Sequence, residues 1–233
     1  MFLLKLTVIR EMTGMRQNDA CGEKTLKIIG VTGGVGSGKT ELLRCIKEHY
    51  SCRILLADEV SHQVMRAGGS IHDELIRLLN SVPGKEPLTD AEGEILHAAM
   101  ASRIFQNPGL LQKVNDLIHP AVKEYILEAL REEREKAEKK SPDRVAYFFL
   151  EAALLIECGY GSLVDEMWYI YCSLDERRRR LKESRGYSDA KIDSILEKQL
   201  TEEQFRSGSD VAIDNSGSLE AALRQIDARL NGT

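Results

Sequence analysis

The chain has 233 residues, 42% of them hydrophobic and 30% charged, with a formal net charge of −5. That is enough chain to bury one substantial core without disulfides, and the balance fits neither a disordered nor a membrane-embedded protein. An acidic surface also repels phosphate backbones, which argues against a nucleic-acid partner. The cysteines, Cys21, Cys45, Cys52, Cys158 and Cys172, form no CxxC pair and leave an odd count. A reducing cytoplasm is the compartment expected for such a set. The opening MFLLKLTVIREM is broken by Lys5 and Arg10 and has no small-residue cleavage site, so no signal peptide is expected. No apolar segment approaches the ~20 residues that span a bilayer, so no membrane partner is expected either.

Residues 1–24 show no clear period and read as a poorly ordered N-terminal extension, with Met12 and Met15 as alternative starts. Residues 25–233 read as one domain. "TLKIIGVTG" is an apolar strand, a Gly-rich turn follows, and "KTELLRCIKEHY" puts Leu42, Leu43 and Ile46 on one helical face. "CRILLAD" is a second buried strand ending at Asp58, and "EVSHQVM" starts a helix. "NSVPGKEPLTDAEGE" is a polar loop. From Ile95 to about Lys140 the pattern is helical, with expected interruptions at "NPG" and at His119-Pro120, and reads as an inserted lobe over about 70–140. Its mixed-sign run "REEREKAEKK" reads as a solvated helix end.

"RVAYFFLEAALLIE" and "DEMWYIYCSL" supply the third and fourth strands, both apolar enough to be covered on two faces. "DERRRRLKESRGYSDAKIDSILEKQLTEEQF" predicts two helices broken at Gly186. "SDVAIDNSG" is a last strand and turn, and "SLEAALRQIDARL" a closing helix capped by Ser218. The alternation predicts an α/β fold of three layers around a central parallel sheet.

Gly33, Gly38, Lys39 and Thr40 satisfy G-x-x-x-x-G-K-[ST] between that strand and that helix. The pattern assigns Gly33, Gly34, Val35, Gly36, Ser37, Gly38, Lys39, Thr40 and Glu41 to nucleotide phosphates. Glycines let the backbone wrap oxyanions, Lys39 reaches the β/γ oxygens, and Thr40 is placed to ligate Mg²⁺. A phosphate loop serves switches, motors and kinases alike, so its neighbours decide the chemistry. No N-K-x-D guanine reader occurs, and the D-x-x-G match at "DAEG" sits in a polar loop rather than at a strand end. The third strand ends in Glu151 alone, without the Asp-Glu pair of a motor ATPase. Asp58, at the carboxyl end of the second strand, is positioned to accept or orient the proton of an attacking hydroxyl; as an alternative it caps the helix that follows. Arg177 to Arg180 cannot share one helix face, so one or two of them, or Arg185, enter the site from an arginine-bearing lid over about 175–205.

Taken in order, "GVTGGVGSGKT", "LLADEVSHQV", "RIFQNPGLLQKVNDLIHPAV", "EAALLIE" and "DVAIDNSG" resemble the dephospho-CoA kinase family over residues 27 to about 230. The resemblance implies an adenylate-kinase-like P-loop NTPase fold with a helical substrate lobe and a lid. It also implies transfer of the γ-phosphoryl of ATP, with Mg²⁺, to the ribose 3′-hydroxyl of dephospho-CoA. The chain reads as a soluble cytoplasmic enzyme, a monomer or weak homo-oligomer. Gly36 to Glu41 then lie on the ATP phosphates, Asp58 takes the place of the family's base, and Lys39, Arg180 and Arg185 act on the transferred group. The helices around Arg103, Ile104, Phe105 and His119-Pro120 match the acceptor lobe, with His119 a structural hydrogen-bonding residue. The chain departs from the family pattern at Leu56, where an aspartate is common, at Ala153 for proline, and at Ser184-Arg185, which shifts the second lid arginine by one position. The rival readings are another small-molecule P-loop kinase and a non-catalytic nucleotide-binding regulator.

Because residues 1–24 precede the first core strand and have no periodic apolar face, their removal is expected to leave the melting temperature and activity unchanged. A large fall in melting temperature would show that Leu3, Leu4, Leu6 and Ile9 pack on the body.

Overall fold

The structure, a computed structural model, describes residues 26–84, 86–157 and 159–232. The N-terminal extension lies outside them. Its strands are β1 (Lys27–Thr32), β2 (Cys52–Leu56), β3 (Tyr147–Glu151), β4 (Glu166–Tyr171) and β5 (Val211–Asp214), arranged in one sheet in the order β2-β3-β1-β4-β5. β1 pairs in parallel with β3 and β4, and β4 pairs in parallel with β5. Parallel neighbours need crossover connections, and helices supply them. These are α1 (Lys39–His49), α2 (Ala57–Met65), α3 (His72–Asn80), α4 (His97–Gln106), α5 (Pro108–Glu138), α6 (Leu174–Arg185), α7 (Asp189–Leu196), α8 (Glu202–Ser207) and α9 (Leu219–Asn231). All five expected strands are present, and the fold is the α/β P-loop architecture.

Ile28, Ile29 and Val31 of β1, Phe148, Phe149 and Leu150 of β3, and Met167, Trp168, Tyr169 and Ile170 of β4 are all buried. Strands covered on both faces read as unbroken apolar runs, which is why these three were visible in the sequence. β1 lies between a strand reached on one side and a strand reached on the other. At such a reversal of strand order the connections diverge and open a crevice at the carboxyl ends. The Gly-rich turn leaves β1 there.

The described chain forms two compact units, one of residues up to Ile54 together with Lys136–Thr233, the other Leu55–Glu135. In the second unit α4 and α5 break at Asn107, as expected, but α5 runs on through Pro120. Proline costs the helix its bond to the carbonyl of Asp116. Leu110, Val114, Val122, Ile126 and Leu130 continue one buried face past that point, and their packing outweighs the missing bond. In the first unit, the segment read as two helices holds three. Gly186 closes α6 at φ 64°, Ser188 caps α7, and a reciprocal capping box between Thr201 and Gln204 starts α8 as a separate element.

One buried carboxylate ties this unit together. Glu166, 5% exposed at the start of β4, accepts from Trp168 Nε1 (2.8 Å) and Arg229 Nε of α9 (2.6 Å), and pairs with Lys27 of β1. Burial pushes its pKa up, but the bonds from Arg229, Lys27 and Trp168 outweigh that and hold it below the ordinary glutamate value. A carboxyl lowered in the folded state stabilises the fold above its unfolded pKa, and the contribution is lost as pH falls through the lowered value. Glu166→Gln is therefore expected to cost about 1–2 kcal/mol at pH 7, a modest figure because Lys27 and Arg229 are partly exposed. Chemical denaturation as a function of pH checks this: the gap to wild type should narrow below about pH 4.

Candidate active site

The turn from β1 into α1 is built for close approach. Gly33, at φ 147°, would bring an added Cβ within 2.6 Å of the Ile170 carbonyl, so only glycine lets the chain pass β4 there. Gly38, at φ 86°, is the N-cap of α1 and has no side chain to satisfy the first-turn N–H groups. Uncapped N–H groups at the positive end of a helix form an anion site. The hydroxyls of Thr32 and Ser37 are buried beside this turn with no hydrogen-bond partner among the described residues. Thr40 and Glu41 are exposed on the first turn of α1. A hydrogen bond from Arg44 holds Glu41 on its own helix and lowers its pKa.

Lys39 folds back over the turn. Its ammonium donates to the Gly33 carbonyl at 2.7 Å and lies 3.6 Å from Glu151 Oε1 at the end of β3. A cation so held has neutralising partners on one side and faces the loop on the other.

The arginine run divides its labour by helical geometry. Arg179 pairs with Glu176 and Glu183, and Arg178 with Asp189 and Asp193 of α7. Arg177 and Arg180, three apart and so on one face, turn to the phosphate loop. Arg180 donates from Nη1 to the Ser37 carbonyl (3.3 Å) and from Nη2 to the Asn215 carbonyl (2.8 Å), while Glu176 accepts from its Nε at 2.8 Å. Hydrogen bonds from Arg179 and then Arg180 hold the Glu176 carboxyl at about 2. Arg177 donates from Nε to the Val35 carbonyl (2.9 Å) and from Nη2 to Gln199 Oε1 (2.6 Å), and its guanidinium covers Gly34 so closely that a Cβ there would fall 2.3 Å from Nη2. Burial lowers its pKa, and no carboxylate among the described residues pairs with it. Gln199 Oε1 also accepts from the Val35 N–H at 3.3 Å.

Arg185 stands elsewhere. It is exposed at the end of α6 with its guanidinium 5.9 Å from the Tyr187 ring centre. Asp58, in the second unit, is exposed in the first turn of α2; the N-cap is Leu56 and no side chain caps that helix, so the capping alternative does not hold. The His119 side chain is exposed on α5 and makes no hydrogen bond among the described residues, contrary to a structural hydrogen-bonding role. Phe105 is 90% exposed.

A family model for dephospho-CoA kinase matches residues 27–221. The chain belongs to the dephospho-CoA kinase family. Among its relatives, the dephospho-CoA kinase of Carboxydothermus hydrogenoformans is 32% identical over 86% of this chain and 91% of that protein. That of a Nostoc species is 33% identical over 89% and 98%. In three dimensions the chain is similar to TT1252 of Thermus thermophilus, with TM-score 0.69 and 25% identity over 90% of this chain and 98% of that one. It shares its fold with the dephospho-CoA kinase from Campylobacter jejuni, with TM-score 0.65 and 20% identity over 89% and 98%. The family segment "DVAIDNSG" acquires a physical role here: the buried Asn215 donates from Nδ2 to the Ser37 carbonyl at 2.7 Å.

Arg177, Gln199 and Asn215 were not singled out in the sequence. Asn215 was approachable, since it follows a strand whose carboxyl end lies at the crevice. Arg177 was one of four equivalent letters until the phase of α6 was known. From this geometry, Arg177→Lys and Arg180→Lys are each expected to lower turnover at saturating ATP by at least about tenfold, because the planar fork is lost while the charge remains. Arg178→Lys and Arg185→Lys should stay within about twofold. Equal, small effects in all four would reduce the run to a solvated helix face.

Proposed function

We propose that this chain is an ATP:dephospho-CoA 3′-phosphotransferase, working in the cytoplasm with Mg²⁺. The observation that carries the reading is the family match over 27–221, on a chain whose phosphate loop is faced by Lys39, Arg177 and Arg180. The uncapped start of α1 and the loop N–H groups hold the β- and γ-phosphates of ATP, and Lys39 shifts from the Gly33 carbonyl to their oxygens. Arg177 and Arg180 stabilise charge on the group in transfer. The buried orphan hydroxyls of Thr32 and Ser37 and the exposed hydroxyl of Thr40 fit a site completed by a bound nucleotide. Thr40 would hold Mg²⁺ together with the phosphates, and the ion would neutralise developing charge there.

Asp58 is the proposed proton acceptor for the 3′-hydroxyl. Its exposure and its freedom from capping leave the carboxylate available for that role. Among the described residues no helix is long and apolar enough to cross a membrane.

Offering dephospho-CoA, AMP, cytidine and thymidylate in parallel tests the reading: ADP release should depend on dephospho-CoA, and preference for another acceptor would replace it with a different small-molecule kinase. Asp58→Asn is expected to keep ATP binding and to lower turnover by roughly 10²-fold, the low end for a positioned acid–base group, because a loose transition state asks little of an early base. Turnover near wild type would remove Asp58 from the mechanism.

A further inference from the structure

The second unit contains a cation that the reaction scheme above does not use. Arg103 of α4 is only 6% exposed. Its guanidinium meets carbonyls alone: Nη1 donates to Ala99 one turn back at 3.3 Å, and Nη2 to Glu86 at 3.1 Å. Nε is buried with no hydrogen-bond partner, and no carboxylate among the described residues pairs with the group. Those two bonds leave most of the fork's donors unspent. A buried cation without a counter-charge is costly in a folded chain.

The fork borders a cleft of about 410 Å³ that Gly84, Glu86, Ser102 and Gln106 also line. Gly84 lies flat against the guanidinium, where a Cβ would fall 2.4 Å from its central carbon. Ser102 accepts from Gln106 Nε2 at 3.3 Å, which leaves the serine proton free to point into the cleft. Glu86 meets Arg103 through its backbone carbonyl, so the cleft is bordered by a fork with unsatisfied donors. A ligand that answers this fork presents two adjacent anionic oxygens, as a carboxylate, phosphate or diphosphate does, and of these groups dephospho-CoA carries the diphosphate.

We propose that this cleft is the subsite for the diphosphate bridge of the acceptor, with Arg103 as its principal donor and Ser102 beside it. The inference rests on dephospho-CoA being the acceptor. It adds which group of that molecule is gripped, and by which residue.

The test compares wild type, Arg103→Met, Arg103→Lys and Gly84→Ala, each first checked for an unchanged melting temperature. Arg103→Met should raise the KM for dephospho-CoA about 10- to 100-fold, the range for hydrogen bonds to a charged group, with KM for ATP and kcat within about twofold. Arg103→Lys should recover part of the loss. Gly84→Ala, which displaces the fork and keeps its charge, should raise the same KM if Arg103→Met proves too unstable to assay. With adenosine, an acceptor lacking the diphosphate, kcat/KM should not respond to Arg103→Met. An unchanged KM for dephospho-CoA in folded Arg103→Met or Gly84→Ala protein, or an equal loss with adenosine, overturns the proposal.

Wild type that fails to phosphorylate dephospho-CoA overturns the functional reading instead. The subsite is then decided by titrating inorganic pyrophosphate into Lys39→Ala and Lys39→Ala/Arg103→Met proteins. Binding that disappears only with Arg103 upholds the subsite; indistinguishable titrations reject it.

Discussion

Two side chains remote from each other in sequence, Arg180 of α6 and Asn215 after β5, donate to one backbone oxygen, the carbonyl of Ser37. A phosphate loop must offer its N–H groups inward, so its carbonyls point outward and need partners of their own. Here those partners are the lid helix and the last strand. Arg177 does the same for the Val35 carbonyl, and Lys39 for that of Gly33. The shape of the loop therefore depends on the packing of segments more than a hundred residues downstream, and conversely those segments are registered on the sheet by the loop.

This arrangement couples binding to charge. Every donor that faces the loop is a cation or an amide, and Glu176 and Glu151 are the carboxylates that orient Arg180 and Lys39 respectively. Arg177 has no such partner among the described residues, and burial already works against its charge. An anion on the loop would supply the missing counter-charge, so the site is electrostatically incomplete in a way that a nucleotide phosphate completes. Arg103 in the second unit presents the same logic at a separate place, with a buried fork bonded only to carbonyls. Arg177 and Arg103, one in each unit, each lack a carboxylate partner among the described residues, which suits an enzyme that holds two phosphorylated substrates.

The stability of the frame rests on different chemistry. Trp168, Phe148 and Phe149 form the interior of the sheet layer, and Glu166 joins β1, β4 and α9 through charge-assisted bonds at the start of β4. That network sits at the amino end of β4 and the phosphate loop follows the carboxyl end of β1, its parallel neighbour. Structural charge and functional charge are thus placed at opposite strand ends, which lets the loop remain unsatisfied without weakening the sheet.

By itself the sequence determined the strands, the Gly-rich turn and the family, because each is a local signal: an apolar run covered on both faces, a spacing of glycines before Lys39 and Thr40, a string of short motifs. It also limited the members of the arginine run that can share one face to one or two by helical phase alone. Only the tertiary structure decided which two, since Arg177 and Arg180 differ from Arg178 and Arg179 solely in what α6 packs against. The passage of α5 through Pro120 was hidden for a related reason, as the loss of one backbone bond is visible in the letters and the buried face that offsets it is not. Asn215 looks like an ordinary polar residue, and Arg103 is known only as part of a family motif, until neighbours from elsewhere in the chain surround them. Hydrogen-bond satisfaction is a property of three-dimensional surroundings, and a side chain's partners, or its lack of them, are written nowhere in its own segment.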